Sequence, residues 1–269
     1  MTTPALLVLD FDGVVCQGID EFFESSWRAW HRLRAAPLPA ARRDELAARF
    51  ARLRPVVESG WEMAMLPALL AARDPARDAE LEDDARWATV RGDFLDDHRV
   101  TSRELADALD GARDAWLADD RDGWVAAHRF YPGIADWLRR LVLNGPPTFV
   151  LSTKDKRFLD ALLRAQAVPV PDDRVIGKAT PRRAKWEVIA EIAASQALPV
   201  DGDGVWFVED RLATLLELRR DAPKLSAMRL FLAEWGYVFP RDVERAHATA
   251  IPTLTLARAT GPFTGWLAP

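Results

Sequence analysis

The chain has 269 residues, 49% of them hydrophobic and 29% charged, a length that suffices for one large domain or for a core with an insertion. Its net charge of -5 argues against nucleic acid as the main partner, because binding to a phosphate backbone requires a basic face. We recognise neither a signal peptide nor a membrane span, and therefore expect a cytoplasmic protein without a membrane partner.

The first predicted element is a short buried strand that ends in acidic residues. Leu6–Leu9 is a run of four apolar residues, typical of a parallel strand covered on both faces. Asp10 and Asp12 follow it, and Gly13 lets the backbone turn away. In open α/β sheets the ligand crevice lies outside the carboxyl ends of the strands. Two carboxylates at that place suit a hard metal ion such as Mg²⁺, although a helix cap or a solvated loop is the alternative.

The stretch from Asp10 to Val14 resembles the first motif of the haloacid dehalogenase superfamily, which is D-x-D-G followed by a hydrophobic residue. The resemblance implies an α/β fold with a doubly wound parallel sheet. It also implies a second domain that covers the crevice.

Residues 17–129 are predicted to be helical. Apolar residues recur at three- and four-residue spacing in 21–34, 40–53, 58–72, 80–97 and 102–117. A helical block of this size between two strands indicates an insertion with its own core. We therefore assign residues 1–16 and 130–269 to an α/β core domain and 17–129 to a helical domain. By resemblance, the helical domain is the superfamily's cap.

Within the helical block, residues 54–63 combine charged, aromatic and glycine residues at a helix boundary. Arg54, Glu58 and Trp61 are candidates for contacts with substrate. A surface ion pair between Arg54 and Glu58 is an equally good interpretation. The tryptophans of the block are predicted to fill its helical core rather than to stack on a ligand.

The second predicted strand, Thr148–Leu151, ends in hydroxyl residues. Ser152 and Thr153 precede a helix, so hydroxyl and backbone N–H groups there can hold a phosphate group. The stretch resembles the second motif of the superfamily. By position, Ser152 is the main phosphate contact and Thr153 the secondary one.

The third motif of the superfamily is a lysine, and two lysines compete for it. Lys178 and Lys185 both precede the helix that is predicted to run to residue 195. One helix, a turn and a short strand fit the gap between Lys185 and Asp210 better than the longer gap from Lys178. Lys185 is favoured, and Lys178 stays open.

A further buried strand, predicted at 205–208, ends in Glu209 and Asp210. The pair resembles the fourth motif, in which Asp210 is a direct metal ligand and Glu209 binds the ion or one of its waters. Additional strands are predicted near 174–176, at 228–233 and at 251–256.

The motifs together imply a Mg²⁺-dependent phosphatase that hydrolyses a small phosphomonoester. In this interpretation Asp10 is the nucleophile, Asp12 transfers protons, and both contribute to the metal site with Glu209 and Asp210. Asp12 argues against dehalogenation, because dehalogenases of the superfamily need no acid-base aspartate two residues after the nucleophile. A phosphosugar mutase, or a binding protein on a disused phosphatase fold, is the alternative.

Overall fold

A computed structural model describes residues 3–34, 37–178, 183–198, 204–222, 225 and 227–267. The chain divides into two compact units. One comprises Met1–Gln17 with Arg129–Pro269 and is built on a parallel sheet; the other, Gly18–His128, is helical. In the part of the chain that the structure describes, no helix has both the length and the apolar character needed to cross a membrane.

The α/β unit contains all the strands found in the described residues. They are β1 (Leu6–Leu9), β2 (Cys16–Gln17), β3 (Arg129–Phe130), β4 (Thr148–Leu151), β5 (Val175–Ile176), β6 (Val205–Glu209), β7 (Arg229–Ala233) and β8 (Thr253–Leu254). Six of these form one parallel sheet in the order β5-β4-β1-β6-β7-β8. The remaining two, β2 and β3, pair with each other in antiparallel fashion.

Strand β1 lies at the centre of the sheet and is completely buried. It pairs with β4 on one side, where Leu7 faces Thr148, and with β6 on the other, where Leu6 faces Val205. The chain passes from β1 to β4 and β5, then crosses back to β6, so the direction of winding reverses at β1. Such a reversal opens a crevice at the carboxyl ends of the strands. The predicted doubly wound parallel sheet is confirmed.

Among the described residues, six α-helices belong to the α/β unit. They are α7 (Ile134–Asn144), α8 (Lys156–Ala165), α9 (Lys185–Ser195), α10 (Leu212–Asp221), α11 (Pro240–Ala248) and α12 (Leu256–Ala259). Buried residues of α9, such as Ile189, pack in one core with Leu6 and Val8 of β1 and Phe207 of β6. This packing fixes the start of α9 beside the ends of the central strands.

The helical unit contains the other six α-helices of the described part of the chain. They are α1 (Ile19–Leu33), α2 (Arg43–Leu53), α3 (Gly60–Ala72), α4 (Asp84–His98), α5 (Ser102–Asp119) and α6 (Arg121–Ala126). Trp30, Trp87, Trp116 and Trp124 are buried. The indole N–H of Trp87 donates to Oε2 of Glu62 at 3.0 Å. These four side chains fill the helical core, as predicted from the sequence.

Two local predictions are wrong. The segment 17–129 is not helical throughout, because β2 ends at Gln17 and β3 begins at Arg129. Two-residue strands carry no periodic signal that a sequence pattern can reveal. The last strand is also shorter than 251–256, since Thr255 caps a helix by accepting a hydrogen bond from the N–H of Arg258 and thereby ends the strand.

Candidate active site

The centre of the site is Asp10, the first residue after β1. Its side chain is 8% exposed, and Nζ of Lys185 lies 2.6 Å from its Oδ1. The N–H of Asp10 donates to the carbonyl of Val208 on the neighbouring strand β6 at 2.9 Å. The backbone of Asp10 is therefore held by the sheet, while its carboxylate meets a cation from helix α9.

Lys185 joins two acidic side chains. The same Nζ that contacts Asp10 lies 2.6 Å from Oε2 of Glu209, the last residue of β6. The other oxygen of Glu209 accepts the N–H of Arg211 at 3.1 Å. Lys178, the competing lysine, is exposed, and its backbone N–H donates to the carbonyl of Lys154. The structure thus brings Lys185 to Asp10.

One ammonium group shared by two buried carboxylates shapes the electrostatics of the site. Burial raises the pKa of Asp10 to about 7, because the charge of Lys185 offsets only part of the loss of hydration. Burial alone would also raise the pKa of Glu209. The charge of Lys185 and its hydrogen bond outweigh this effect, so the pKa of Glu209 is lowered. Burial alone would lower the pKa of Lys185. The negative charges of Asp10 and Glu209 outweigh this effect, so the pKa of Lys185 is raised. The two carboxyl groups that share Lys185 therefore differ in acidity, and Asp10 is the weaker acid of the two.

Asp210 is positioned by two glycines and a backbone donor. Its Oδ2 accepts the N–H of Tyr237 at 2.8 Å. A Cβ on Gly13 would lie 1.8 Å from that oxygen, and one on Gly236 would lie 2.4 Å from Cβ of Asp210. Gly13 also has φ of +91°, a conformation that glycine favours. Both glycines are therefore needed for Asp210 to sit where it does.

Asp12 has a partner that the sequence analysis missed. Nζ of Lys154 lies 3.0 Å from Oδ1 of Asp12, and the lysine side chain is 2% exposed. Lysine is rare in this chain, with five residues in all, and this rarity is the one feature of the sequence that distinguishes Lys154. That signal is weak, because a lysine after a strand is usually solvated.

Ser152 and Thr153 occupy the turn after β4, the strand next to β1. Ser152 is buried, and its Oγ accepts the N–H of Lys154 at 3.1 Å. Thr153 is exposed. Ser152 therefore lies at the crevice end of the sheet, on the side of β1 opposite to Glu209.

The three candidates in the helical unit have different surroundings. Arg54 is buried, with its guanidinium 5.1 Å from the ring centre of Phe22. Glu58 is exposed and accepts a hydrogen bond from Arg91 at 2.6 Å. Trp61 is half-buried at the start of α3. Glu58 therefore pairs with Arg91, and the predicted roles of the three residues stay predictions.

Three carboxylates could together hold a metal ion. Ligand atoms of Asp10, Glu209 and Asp210 all lie within 4.8 Å of one another, and all three residues are buried. Carboxylate oxygens are the donors that hard divalent cations prefer. The carboxylate of Asp12 lies outside this group, so its predicted part in the metal site stays a prediction.

No protein-family model matches the sequence, and a comparison with curated proteins finds no match. Solved structures do match. A haloacid dehalogenase-like family hydrolase from Streptococcus pneumoniae is 14% identical, with 95% of this chain and 94% of that chain covered and a TM-score of 0.56. A predicted phosphatase from Clostridium acetobutylicum is 15% identical, with 91% of each chain covered and a TM-score of 0.54.

A third structure, described as a predicted phosphoglycolate phosphatase from Haemophilus somnus, is 13% identical and covers 89% of each chain, with a TM-score of 0.54. At this identity the likeness shows the fold. The chain has the α/β fold of the haloacid dehalogenase-like hydrolases, and the resemblance stated from its motifs is confirmed at that level.

Proposed function

We propose that the protein is a Mg²⁺-dependent phosphatase that hydrolyses a small phosphomonoester through an aspartyl-phosphate intermediate. The observation that carries the proposal is the placement of Asp10 at the end of the central strand, within reach of a half-buried lysine and two more carboxylates. A nucleophile, a cation for the phosphoryl oxygens and a set of metal ligands are the parts that phosphoryl transfer needs.

The donor set fits Mg²⁺. Asp10, Glu209 and Asp210 offer only oxygen ligands, and the hydrogen bond from Tyr237 holds one oxygen of Asp210 in place. Mg²⁺, when bound, would neutralise charge on the phosphoryl oxygens and on Asp10.

The chain's own residues supply the remaining chemistry. Asp10 attacks phosphorus; the bond to the ester oxygen breaks, and that oxygen takes a proton from Asp12 to leave as an alcohol. Water then attacks the phosphorus of the aspartyl phosphate and gives a proton back to Asp12. The bond between phosphorus and Asp10 breaks, and phosphate departs.

Two groups near Asp10, one at the start of α9 and one in the turn after β4, are suited to the charge that develops on the phosphoryl oxygens. Lys185 already lies beside Asp10, and the hydroxyl of Ser152 can donate a hydrogen bond while its oxygen accepts the N–H of Lys154. Electrostatic stabilisation of this kind is usually the largest single contribution to such a reaction. In this proposal Thr153 plays a secondary part through its place in the same turn.

We assign the helical unit the role of a cap that excludes bulk water during the reaction. Arg54, Glu58 and Trp61 remain the proposed substrate contacts of this cap. The proposed substrate is a small phosphorylated metabolite.

The proposal is tested by the Asp10→Asn variant. This change keeps the shape of the side chain and removes its charge, so turnover of p-nitrophenyl phosphate at saturating Mg²⁺ should fall by at least about 10³-fold. Asp173→Asn, at an exposed aspartate of the same unit, is the control and should be unaffected. Mass spectrometry of acid-quenched wild-type protein should find phosphate on Asp10. Activity of Asp10→Asn close to that of the control would overturn the assignment.

A further inference from the structure

Lys154 is a buried cation at the end of β4. Its side chain is 2% exposed, its Nζ lies 3.0 Å from Oδ1 of Asp12 and 6.0 Å from the ring centre of Phe11. Asp12 is itself only 17% exposed. A buried ammonium is costly unless it is paired, so the contact with Asp12 stabilises both groups.

Hydrogen bonds on both sides of the turn fix the backbone position of Lys154. The N–H of Ser152 donates to the carbonyl of Ile176 at 2.9 Å, and that of Lys154 donates to Oγ of Ser152 at 3.1 Å. The carbonyl of Lys154 in turn accepts the N–H of Lys178 at 2.9 Å. A Cβ on Gly177 would lie 2.8 Å from that carbonyl oxygen, so the two segments are in direct backbone contact. Lys154 therefore extends from a turn that is held on both sides.

The two aspartates of the first motif are thus held by two different lysines. Lys185 comes from helix α9 and contacts Asp10, whereas Lys154 comes from the turn after β4 and contacts Asp12. The division matches the two tasks in the proposed reaction: one aspartate forms a bond to phosphorus, and the other moves a proton.

We propose that Lys154 is a positioning residue for proton transfer: its ammonium holds Oδ1 of Asp12, so that Oδ2 is the oxygen that gives and takes the proton. This inference rests on the proposed phosphatase function. It assigns Lys154 a role through Asp12 and no contact with the phosphoryl group.

The two roles predict different dependence on the leaving group. An alkoxide is a poor leaving group and needs a proton as the ester bond breaks, whereas p-nitrophenolate leaves without one. Loss of a residue that positions Asp12 should therefore slow an alkyl phosphate selectively. Loss of a cation that binds the phosphoryl group should slow both substrates alike.

The experiment compares kcat/KM of Lys154→Met for an alkyl phosphate and for p-nitrophenyl phosphate. We expect a fall of about 10²-fold for the alkyl ester and of less than about 5-fold for the nitrophenyl ester. Lys156→Met is the matched control, since the ammonium of Lys156 pairs with Asp160 and Asp172 instead. It should leave both values unchanged.

The unfolding temperature provides a test that does not depend on activity. It compares Asp12→Asn with the double variant, so it can be used even if Lys154→Met alone does not fold. Asp12→Asn leaves the ammonium of Lys154 buried without the carboxylate. Adding Lys154→Met removes that charge, so the double variant should unfold at a higher temperature than Asp12→Asn alone. A lower temperature for the double variant would show that Lys154 serves another partner and would overturn the inference.

The kinetic outcomes separate this inference from the proposed function. Wild-type protein that hydrolyses neither ester would overturn both. Active wild-type protein, together with equal losses on the two esters or no loss in Lys154→Met, would overturn the role of Lys154 and leave the phosphatase assignment standing.

Discussion

Gly13 and Asp210 lie so close that no side chain fits between them. A Cβ on Gly13 would lie 1.8 Å from Oδ2 of Asp210, an oxygen that also accepts the N–H of Tyr237. The two residues are almost two hundred positions apart in the chain. The carboxylate of Asp210 nevertheless leaves no room for a side chain at residue 13, and a side chain there would displace the carboxylate. The turn after β1 and the turn after β6 therefore act as one part of the site.

Gly13→Ala should weaken Mg²⁺ binding by at least about tenfold, because the methyl group displaces Asp210 from its hydrogen bond. It should also destabilise the fold by about 1–2 kcal/mol through its left-handed backbone. Gly133→Ala is a matched control, since Gly133 has φ of +78° but nothing within 4 Å of the added Cβ. Calorimetric titration should show weaker Mg²⁺ binding in Gly13→Ala alone. Equal affinities in the two variants would contradict the steric argument.

Lys185→Met should slow hydrolysis of a phosphomonoester by about 10²-fold or more, because the residue supplies charge beside Asp10. Lys178→Met should change the rate little, since that side chain is exposed. Steady-state kinetics of the two variants, with circular dichroism to confirm folding, gives the comparison. An inactive Lys178→Met beside an active Lys185→Met would reverse the assignment of the two lysines.

Asp210→Asn should weaken Mg²⁺ binding strongly, and Glu209→Gln should weaken it less. The charge of Glu209 is already matched by Lys185 at 2.6 Å, whereas Asp210 is held by a neutral backbone N–H of Tyr237. Activity measured against Mg²⁺ concentration should give the larger shift for Asp210→Asn. An equal or reversed order would assign the direct ligand to Glu209.

Mg²⁺ affinity should depend on pH through Asp10. With a pKa raised to about 7, the metal-free carboxyl is protonated below that pH and must lose its proton when the ion binds. Apparent affinity should therefore rise by up to about tenfold per pH unit below neutrality and level off above it. Calorimetry in buffers of different ionisation enthalpy measures the released proton. Asp10→Asn should abolish the pH dependence; its persistence would place the titrating group elsewhere.

The strand ends were predictable because strands buried on both faces are continuous apolar runs that stop at the first polar residue. Asp10, Ser152 and Glu209 each stand at such a stop. A parallel sheet brings its carboxyl ends to one edge, so residues far apart in the chain could be placed together. The space that one helix and one strand require favours Lys185 over Lys178, and Lys185 lies beside Asp10.

Other features have no counterpart in sequence patterns. The contact between Lys154 and Asp12 depends on the course of the turn after β4. That course is set by two backbone hydrogen bonds, one from Ser152 to the carbonyl of Ile176 and one from Lys178 to the carbonyl of Lys154. The pairing of β2 with β3 involves two residues on each side, too few for an alternating pattern.

The short ladder of β2 and β3 has a consequence for engineering. Its last pair is Gln17 with Arg129, the residues that flank the helical unit, and paired strands lie about 4.8 Å apart. A two-residue Asn-Gly connection closes an antiparallel ladder of this kind as an ordinary β-hairpin. We therefore expect that the helical unit can be replaced by a tight turn without changing the direction of β2 or β3. A foreign insert whose two ends lie equally close together should be accepted at the same place.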